Sequence, residues 1–141
     1  MVRRLRWRGV ELLRGVAYLL RDGDWGTAPA RLEGLQVDAS PQRFVAQFVL
    51  RMGIGDATLT AHARNEGHAD GRFSFDVDAA ADADLLSSRC GFVVLHPAAC
   101  AGGALEVEHT NGRVAHTRFP ETISPGQPVF DIRALRWSPE P

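Results

Sequence analysis

The sequence predicts an all-β protein: a single antiparallel β-sandwich of about nine or ten strands, with room for one short helix. Two observations carry this prediction. Apolar side chains recur at every second position along most of the chain, and Gly, Pro and Asn punctuate the segments between. The 141 residues suit one domain over residues 1–141, and 45% hydrophobic with 23% charged residues is typical of a folded globular protein.

The alternation is clearest in residues 71–79, where Phe73 and Phe75 lie on the opposite face from Ser74 and Asp76. The strands are predicted at residues 31–39, 42–51, 57–64, 71–79, 91–96, 104–109, 113–119 and 129–137. Turns are predicted at Ser40-Pro41, residues 53–56, Asp70-Gly71 and Asn111-Gly112. The Asn-Gly pair predicts a hairpin, because Gly accepts the positive φ that tight hairpin turns require.

Two segments allow a helix. Residues 10–21 place Leu side chains near the helical period of 3.6, but Gly15 in the middle costs a helix about 1 kcal/mol. Two short strands meeting near Gly15 are narrowly favoured there. Residues 82–88 are long enough for one helical turn.

Composition excludes several function classes. All sixteen basic residues are Arg, so Schiff-base and phosphate-loop lysine chemistry is excluded. The apolar stretches are far shorter than the roughly 20 residues of a membrane helix, and Glu11 and Arg14 interrupt the only candidate signal segment. The arginines of residues 3–8 alternate with Leu5 and Trp7 at strand spacing, which favours the solvated face of an edge strand over a nucleic-acid site. We therefore expect neither a nucleic-acid nor a membrane partner.

Metal, cofactor and nucleophile sites are not predicted. The potential zinc ligands His96, Cys100, His109 and His116 are dispersed over separate segments, and no CxxC, HxH or HExxH motif occurs. Calcium could use Asp76 with Asp78, or Glu106 with Glu108, but two oxygens on a strand do not supply six to eight ligands. No nucleotide-binding glycine motif is present. Two cysteines, Cys90 and Cys100, are expected to be reduced in a cytoplasmic protein.

Polar and aromatic residues in specific surroundings are the candidate ligand-binding groups. Asp131 and Arg133 are predicted to share a strand face, where they could clamp each other or a polar ligand. Tryptophans are candidates for stacking on a sugar, although each also suits a core. The candidate ligand-binding residues are His96, His109, Asp131, Arg133 and Trp25, with Trp7 and Trp137 as further stacking candidates.

A set of short motifs spanning nearly the whole chain is similar to the N-terminal domain of the D-apionate lactonase family. The opening segment, residues 8–27, carries Arg21-Asp22 before Trp25-Gly26-Thr27. The later motifs are Gly91-Phe92, Val94–Pro97, Cys100–Gly102, Val107, His109, Asn111-Gly112, Phe119-Pro120, Ile123, Pro125, Gln127-Pro128 and Asp131–Leu135. The sequence departs from the pattern at Val129, where the family more often has an aromatic residue.

The resemblance implies a β-sandwich accessory module of a bacterial sugar-acid lactonase. The sequence ends at Pro141, before the barrel that is expected to hold the family's catalytic carboxylates, so no catalytic residue is predicted and an activity of its own stays open. Such a module would pack on a partner domain or form a homodimer. The alternative is a small stand-alone protein that binds or processes a sugar or sugar acid through His96, His109, Asp131 and Arg133.

Overall fold

The computed structural model describes residues 1–122 and 128–138, and within these ranges the all-β prediction is confirmed. The strands form three antiparallel sheets, consistent with a β-sandwich, and no helix of seven or more residues occurs there. The strands are β1 (Val2–Trp7), β2 (Val10–Arg21), β3 (Ala30–Ala39), β4 (Arg43–Ile54), β5 (Ala57–His68), β6 (Phe73–Ala81), β7 (Arg89–Leu95), β8 (Ala104–His109), β9 (Val114–Arg118) and β10 (Ile132–Arg136).

The sheets differ in how far apart their strands lie in the sequence. One sheet is a four-stranded meander in the order β3-β4-β5-β6, so every hydrogen-bonded pair consists of consecutive strands. The other two have the orders β1-β2-β7 and β10-β8-β9, in which the outer strands β7 and β10 arrive late in the chain. Both therefore need a strand that is distant in sequence to complete them.

The predicted turns are confirmed. Gly112 has a φ of +81° and closes the β8–β9 hairpin with its N–H donated to the His109 carbonyl at 2.9 Å. Gly55, with φ +58°, lies between β4 and β5, and Gly71, with φ +92°, lies between β5 and β6. At the β3–β4 turn the Ser40 N–H donates to the Arg43 carbonyl at 2.8 Å. Glycine serves at the three positive-φ positions because it has no Cβ to clash.

Neither segment that allowed a helix is helical. Residues 10–21 form one continuous strand, not two short ones, and Gly15 pairs with Arg3 within the β1–β2 ladder. Neighbouring strands on both sides of β2 supply the backbone partners that a helix would have supplied internally. Residues 82–88 hold no helical turn, because the Asp82 side chain accepts the Thr58 N–H at 2.7 Å and ties the chain to β5. A 3₁₀ turn occurs instead at Ala98–Cys100.

Two predicted segments of the last third require comment. The strand predicted at residues 129–137 is shorter, running only over Ile132–Arg136, so Asp131 precedes it. The Ile123, Pro125 and Gln127 motif positions lie outside the described residues.

Contacts divide the chain into two compact units. The first comprises Met1 and Ala17–Val93, and the second comprises Val2–Val16 and Val94–Pro141. The prediction of one domain over residues 1–141 stays a prediction. The buried cluster of the first unit consists of Leu20, Ala28, Leu50, Met52, Leu59 and Ala61. In the second unit Leu105 and Val107 of β8 are buried, Val107 completely.

The central strand β5 contains a buried glycine between two aromatic rings. Gly67 pairs with Phe44 of β4 on one side and with Phe73 of β6 on the other. The two ring centroids are 6.2 Å apart, and both rings occupy the space where a Cβ on Gly67 would stand. The missing side chain is therefore replaced by two neighbouring aromatic side chains.

Beside this glycine, Glu66 is the centre of an ion-pair group. Arg43 of β4 donates a short hydrogen bond to the carboxylate, Arg64 donates a second at 2.6 Å, and His68 Nε2 lies 3.0 Å away. The hydrogen bond from Arg43 and the positive charges of both arginines outweigh desolvation and lower the pKa of Glu66 to about 2. Glu66 is therefore a carboxylate that acid must protonate at a cost to the folded state.

Candidate functional site

The structure brings His109 and Asp131 to one end of the β8–β10 ladder. His109 is the ladder partner of Ile132, its Nδ1 lies 3.0 Å from the Phe130 carbonyl, and Thr110 donates its N–H to the Asp131 carbonyl at 2.8 Å. Asp131 has a φ of +53°, in the left-handed region that few non-glycine residues adopt. Two of the candidate ligand-binding residues thus lie at the same β8–β10 junction.

The prediction that Asp131 and Arg133 share a strand face is wrong. Asp131 lies outside β10, whereas Arg133 lies within it. The Arg133 guanidinium is 3.4 Å from Glu108 of the neighbouring strand β8. A hydrogen bond from Arg136, with the charges of Arg133 and Arg136, lowers the pKa of Glu108 below its usual value. Arg133 therefore contributes to a cross-strand ion-pair group around Glu108.

His96 lies in an aromatic cluster of the second unit. Its ring centroid is 4.8 Å from that of Phe119 and 4.7 Å from that of Trp137, and Phe119 and Trp137 pack edge to face. The Nδ1 atom of His96 is buried and has no hydrogen-bond partner among the described residues, and burial lowers the pKa of the imidazole. His96 is therefore neutral near pH 7 and serves as one wall of the cluster.

Trp25 belongs to the first unit and is 55% exposed. It lies at a φ of +67° in a turn where the Asp22 carboxylate accepts N–H groups from Asp24 and Gly26 at 3.0 and 2.7 Å. The Arg89 guanidinium carbon stands 5.3 Å from the indole centroid, a cation–π distance. The turn therefore presents this indole at the surface of the first unit, while the other four candidates belong to the second.

A concave surface in the second unit contains polar groups that sequence reasoning missed. Its volume is about 800 Å³. We call it the β8 cleft, defined by Val10, Glu11, Arg14, Pro97–Ala104, Arg118, Phe119, Glu121, Trp137 and Ser138. All of these residues belong to the second unit. Phe119 and Trp137, the two rings that contact His96, join the cluster to the cleft wall.

The floor of the β8 cleft is a loop of small residues folded back on itself. After the 3₁₀ turn, Gly103 donates its N–H to the Cys100 carbonyl at 3.0 Å. Two backbone hydrogen bonds join this loop to Phe119. The Gly102 N–H donates to the Phe119 carbonyl at 3.1 Å, and the Phe119 N–H donates to the Gly103 carbonyl at 2.9 Å. Gly102 has φ +70°, and a Cβ there would stand 2.8 Å from the Glu121 carboxylate. A side chain at residue 102 would therefore require a strained backbone and a shift of the Glu121 carboxylate.

Three of the charged groups of the β8 cleft have hydrogen-bonding partners. Arg14 Nε and Glu11 Oε1 are 2.5 Å apart on β2. Arg118 donates through Nη1 to the Gly102 carbonyl at 2.9 Å. Two arginines and two glutamates thus line one cleft, with formal charges that cancel. From the sequence, the Cys100–Gly102 turn and Phe119 were singled out as family motifs, Cys100 also as a potential zinc ligand, and Trp137 as a stacking candidate. The run of small residues from Ala98 to Ala104 was the signal that could have indicated a cleft floor.

The cysteines differ in environment. Cys90 is exposed, and its Sγ lies 3.3 Å from the Tyr18 hydroxyl, whereas Cys100 is buried. Burial, together with the contact to Cys90, raises the pKa of Tyr18 to about 12, and burial raises the pKa of Cys100. Both cysteines are free thiols. A raised pKa makes Cys100 a poor nucleophile at neutral pH.

The described ranges, 1–122 and 128–138, contain neither a side-chain cluster suited to a metal ion nor a helix suited to cross a membrane. No group of three or more His, Cys, Asp or Glu side chains there is placed to hold a metal ion. No helix there has both the length and the apolar character to cross a membrane. The prediction that no metal is bound stays a prediction.

Comparison with known proteins gives the chain's relatives. Residues 1–141 match the family model described as D-apionate lactonase, N-terminal domain. The chain is 38% identical over 136 residues to the D-apionate lactonase of Brucella anthropi. That alignment covers 95% of this chain but only 22% of the lactonase. No solved structure matches the chain.

Proposed function

This chain belongs to the family of D-apionate lactonase N-terminal domains, and from that premise we propose that it is a non-catalytic accessory module of a sugar-acid lactonase. In this proposal it works by packing on the catalytic part of such a lactonase. The observation that carries the proposal is the alignment itself: it covers 22% of the Brucella lactonase, so most of that protein lies outside the shared region.

The surface of β3 supports packing on a partner. In the described part of the chain β3 ends the four-stranded sheet, with β4 as its neighbour. Leu32, Leu35 and Val37 are 47%, 55% and 62% exposed. Few soluble proteins leave neighbouring large apolar side chains uncovered along one strand. We call these three residues the β3 patch.

The β3 patch continues an apolar face that is buried elsewhere. Leu32 pairs with Leu50 of β4, and Val37 pairs with Ala46, and directly paired residues of antiparallel strands point to the same face. Leu50 is in the buried cluster of the first unit. A partner seated on the patch would extend this buried face by one strand. The fitting occupant is the remainder of a lactonase polypeptide, in the same chain or as a separate subunit.

A chimera tests the proposal. We expect the Brucella lactonase to retain lactone hydrolysis when this chain replaces its aligned N-terminal region. A Leu32→Ser/Val37→Ser variant of the chimera should unfold at lower urea concentration and be cleaved faster by protease, while the same substitutions in the isolated chain change its stability little. Val114→Ser, at a 48% exposed position of β9, is the matched control.

Two results would contradict the proposal. The first is a chimera that folds but behaves identically with the β3 patch substitutions and with the Val114 substitution. The second is a chimera that does not hydrolyse lactone with the unsubstituted chain in place. Hydrogen exchange adds a direct readout, since β3 amides should be better protected in the chimera than in the isolated chain.

A further inference from the structure

The β8 cleft has the dimensions of a small-molecule site. Its volume of about 800 Å³ lies within the roughly 300–1,000 Å³ typical of ligand pockets. The loop Pro97–Ala104 lines one side with Ala, Gly, Pro and Cys side chains, which leave backbone and space accessible. Any side chain at residue 102 would need a strained backbone at its φ of +70° and would displace the Glu121 carboxylate, which is part of the cleft lining.

The charges of the cleft favour a neutral, hydroxyl-rich ligand. Arg14 and Arg118 supply N–H donors, and Glu11 and Glu121 supply carboxylate acceptors, within one surface. Paired hydroxyl groups of a ligand can bond to both the arginine donors and the carboxylate acceptors, since each hydroxyl donates one hydrogen bond and accepts others. An anion would gain from two arginines but would be repelled by two carboxylates. A neutral polyol meets no such repulsion.

The aromatic wall supplies an apolar surface. Phe119 and Trp137 line the cleft, and His96 packs against both from outside its lining. The centroids of the three rings are 4.7–6.0 Å apart, and their planes are inclined to one another by 50–90°. This tilted and edge-to-face packing limits the movement of the rings. One apolar face beside hydrogen-bonding edges matches a sugar ring, whose C–H face is apolar and whose rim carries hydroxyls.

We propose that the β8 cleft binds a neutral carbohydrate ring, with Trp137 and Phe119 against its apolar face and Arg118 and Glu121 on its hydroxyls. This site involves none of the β3 patch and does not depend on the packing role proposed above. Of the sequence-based candidates, Trp137 lines this cleft, whereas His96, His109, Asp131, Arg133, Trp25 and Trp7 are not part of the lining. The protein would then contribute carbohydrate recognition through a surface of the second unit.

Titration of the 141-residue chain with defined sugars tests the proposal. The probes are D-glucose, D-xylose and cellobiose, with D-glucuronate and D-gluconate as charged counterparts, each followed by ¹H–¹⁵N NMR up to about 50 mM, enough to occupy most of a site with millimolar Kd. We expect a neutral sugar to shift the Trp137 indole and the amides of residues 98–104, while the Trp25 indole stays in place.

Conservative variants locate the site. Glu121→Gln and Arg118→Gln should each weaken binding about fivefold or more, because each removes a charged hydrogen-bonding partner of a hydroxyl. Arg133→Gln, which alters an arginine of the same unit outside the cleft, should leave the Kd unchanged. Spectra of the unliganded variants report folding, and the titration of the unsubstituted chain is decisive by itself.

Three results would overturn the proposal. One is the absence of shifts with every neutral sugar. Another is tighter binding of glucuronate or gluconate than of glucose, which would show an anion site instead. The third is equal loss of binding in Arg133→Gln and Glu121→Gln, which would place the sugar elsewhere. None of these outcomes bears on the lactonase chimera, so the two proposals fail separately.

Discussion

Replacing the buried glycine of β5 is a stringent test of the packing in the four-stranded sheet. A Cβ at residue 67 would stand 2.8 Å from a carbon of the Phe73 ring and closer still to the Phe44 ring. Both contacts are shorter than real Cβ atoms make, so Gly67→Ala requires both rings to move. Phe44 and Phe73 are the ladder partners of Gly67 on the two sides of β5, so both rings lie next to this glycine.

Two opposing effects determine how much Gly67→Ala changes the free energy of unfolding. Exchanging Gly for Ala at a tolerant backbone stabilises by about 0.4–1 kcal/mol, because the unfolded chain loses freedom. Forcing extra atoms into a packed site costs about 1–3 kcal/mol. Since two rings are displaced at Gly67, we expect the free energy of unfolding to fall by about 1–2 kcal/mol. Gly53 is the matched control, a β4 glycine whose Cβ would find its nearest atom 3.8 Å away.

Equilibrium urea unfolding followed by circular dichroism measures both variants. Gly67→Ala should lower the urea concentration at the unfolding midpoint without changing the dependence of the unfolding free energy on urea. Gly53→Ala should leave the midpoint unchanged or raise it slightly. In a double-mutant cycle, Phe44→Ala should relieve much of the cost of Gly67→Ala, giving a coupling of about 1 kcal/mol. Equal midpoints for the two glycine variants, or strict additivity with Phe44→Ala, would refute the reasoning.

Three further predictions follow from the described contacts. The pKa of Glu66 in the folded state, about 2, lies below its ordinary value of 4.5, so the stabilisation from Glu66 is complete above pH 4.5 and is lost as pH falls toward 2. Glu66→Gln should therefore make the urea midpoint less dependent on pH over that range. A pH profile unchanged by the substitution would contradict the assignment. Leu20→Ala should destabilise by about 3 kcal/mol, because this side chain is completely buried, whereas Leu86→Ala, at an 83% exposed position, should change stability by less than about 0.5 kcal/mol in the same assay. Iodoacetamide at neutral pH should modify Cys90 well before Cys100 by peptide mass spectrometry, since only Cys90 is exposed, and equal rates would contradict the burial of Cys100.

The period-two pattern predicted the strands because half-buried strands impose it directly on the sequence. The long strand β5, with its alternating burial, begins at the predicted Ala57 but runs to His68, four residues beyond the predicted end. Residues 10–21 were ambiguous because the strand is covered unevenly, and its apolar residues do not alternate strictly. These residues form a strand because β1 and β7 pair with β2 on its two sides. A local sequence pattern holds no information about that pairing.

The candidate site was less accessible to sequence reasoning. The β8 cleft joins residues from β2, from the loop after β7 and from the segments after β9 and β10. No local spacing reports that Arg14 and Arg118 line one surface. Asp131 and Arg133 were paired on the assumption of a continuous strand, and the left-handed backbone at Asp131 breaks that assumption. Trp137 of the lining was a stacking candidate from the sequence, and the family resemblance, which rests on motifs and not on geometry, was also within reach of the sequence.

The sequential order of the meander also affects how the chain reaches its fold. Turns of two to four residues join β3 to β4, β4 to β5 and β5 to β6, so each pairing closes a short loop at small entropic cost. The β2–β7 pairing must instead bring together strands separated by the entire meander. Because rates fall as contacts become more distant in sequence, we expect the unit of residues 30–81 to form before β7 joins β2. During synthesis that unit can assemble before β7 has left the ribosome, while β1 and β2 still await their third strand.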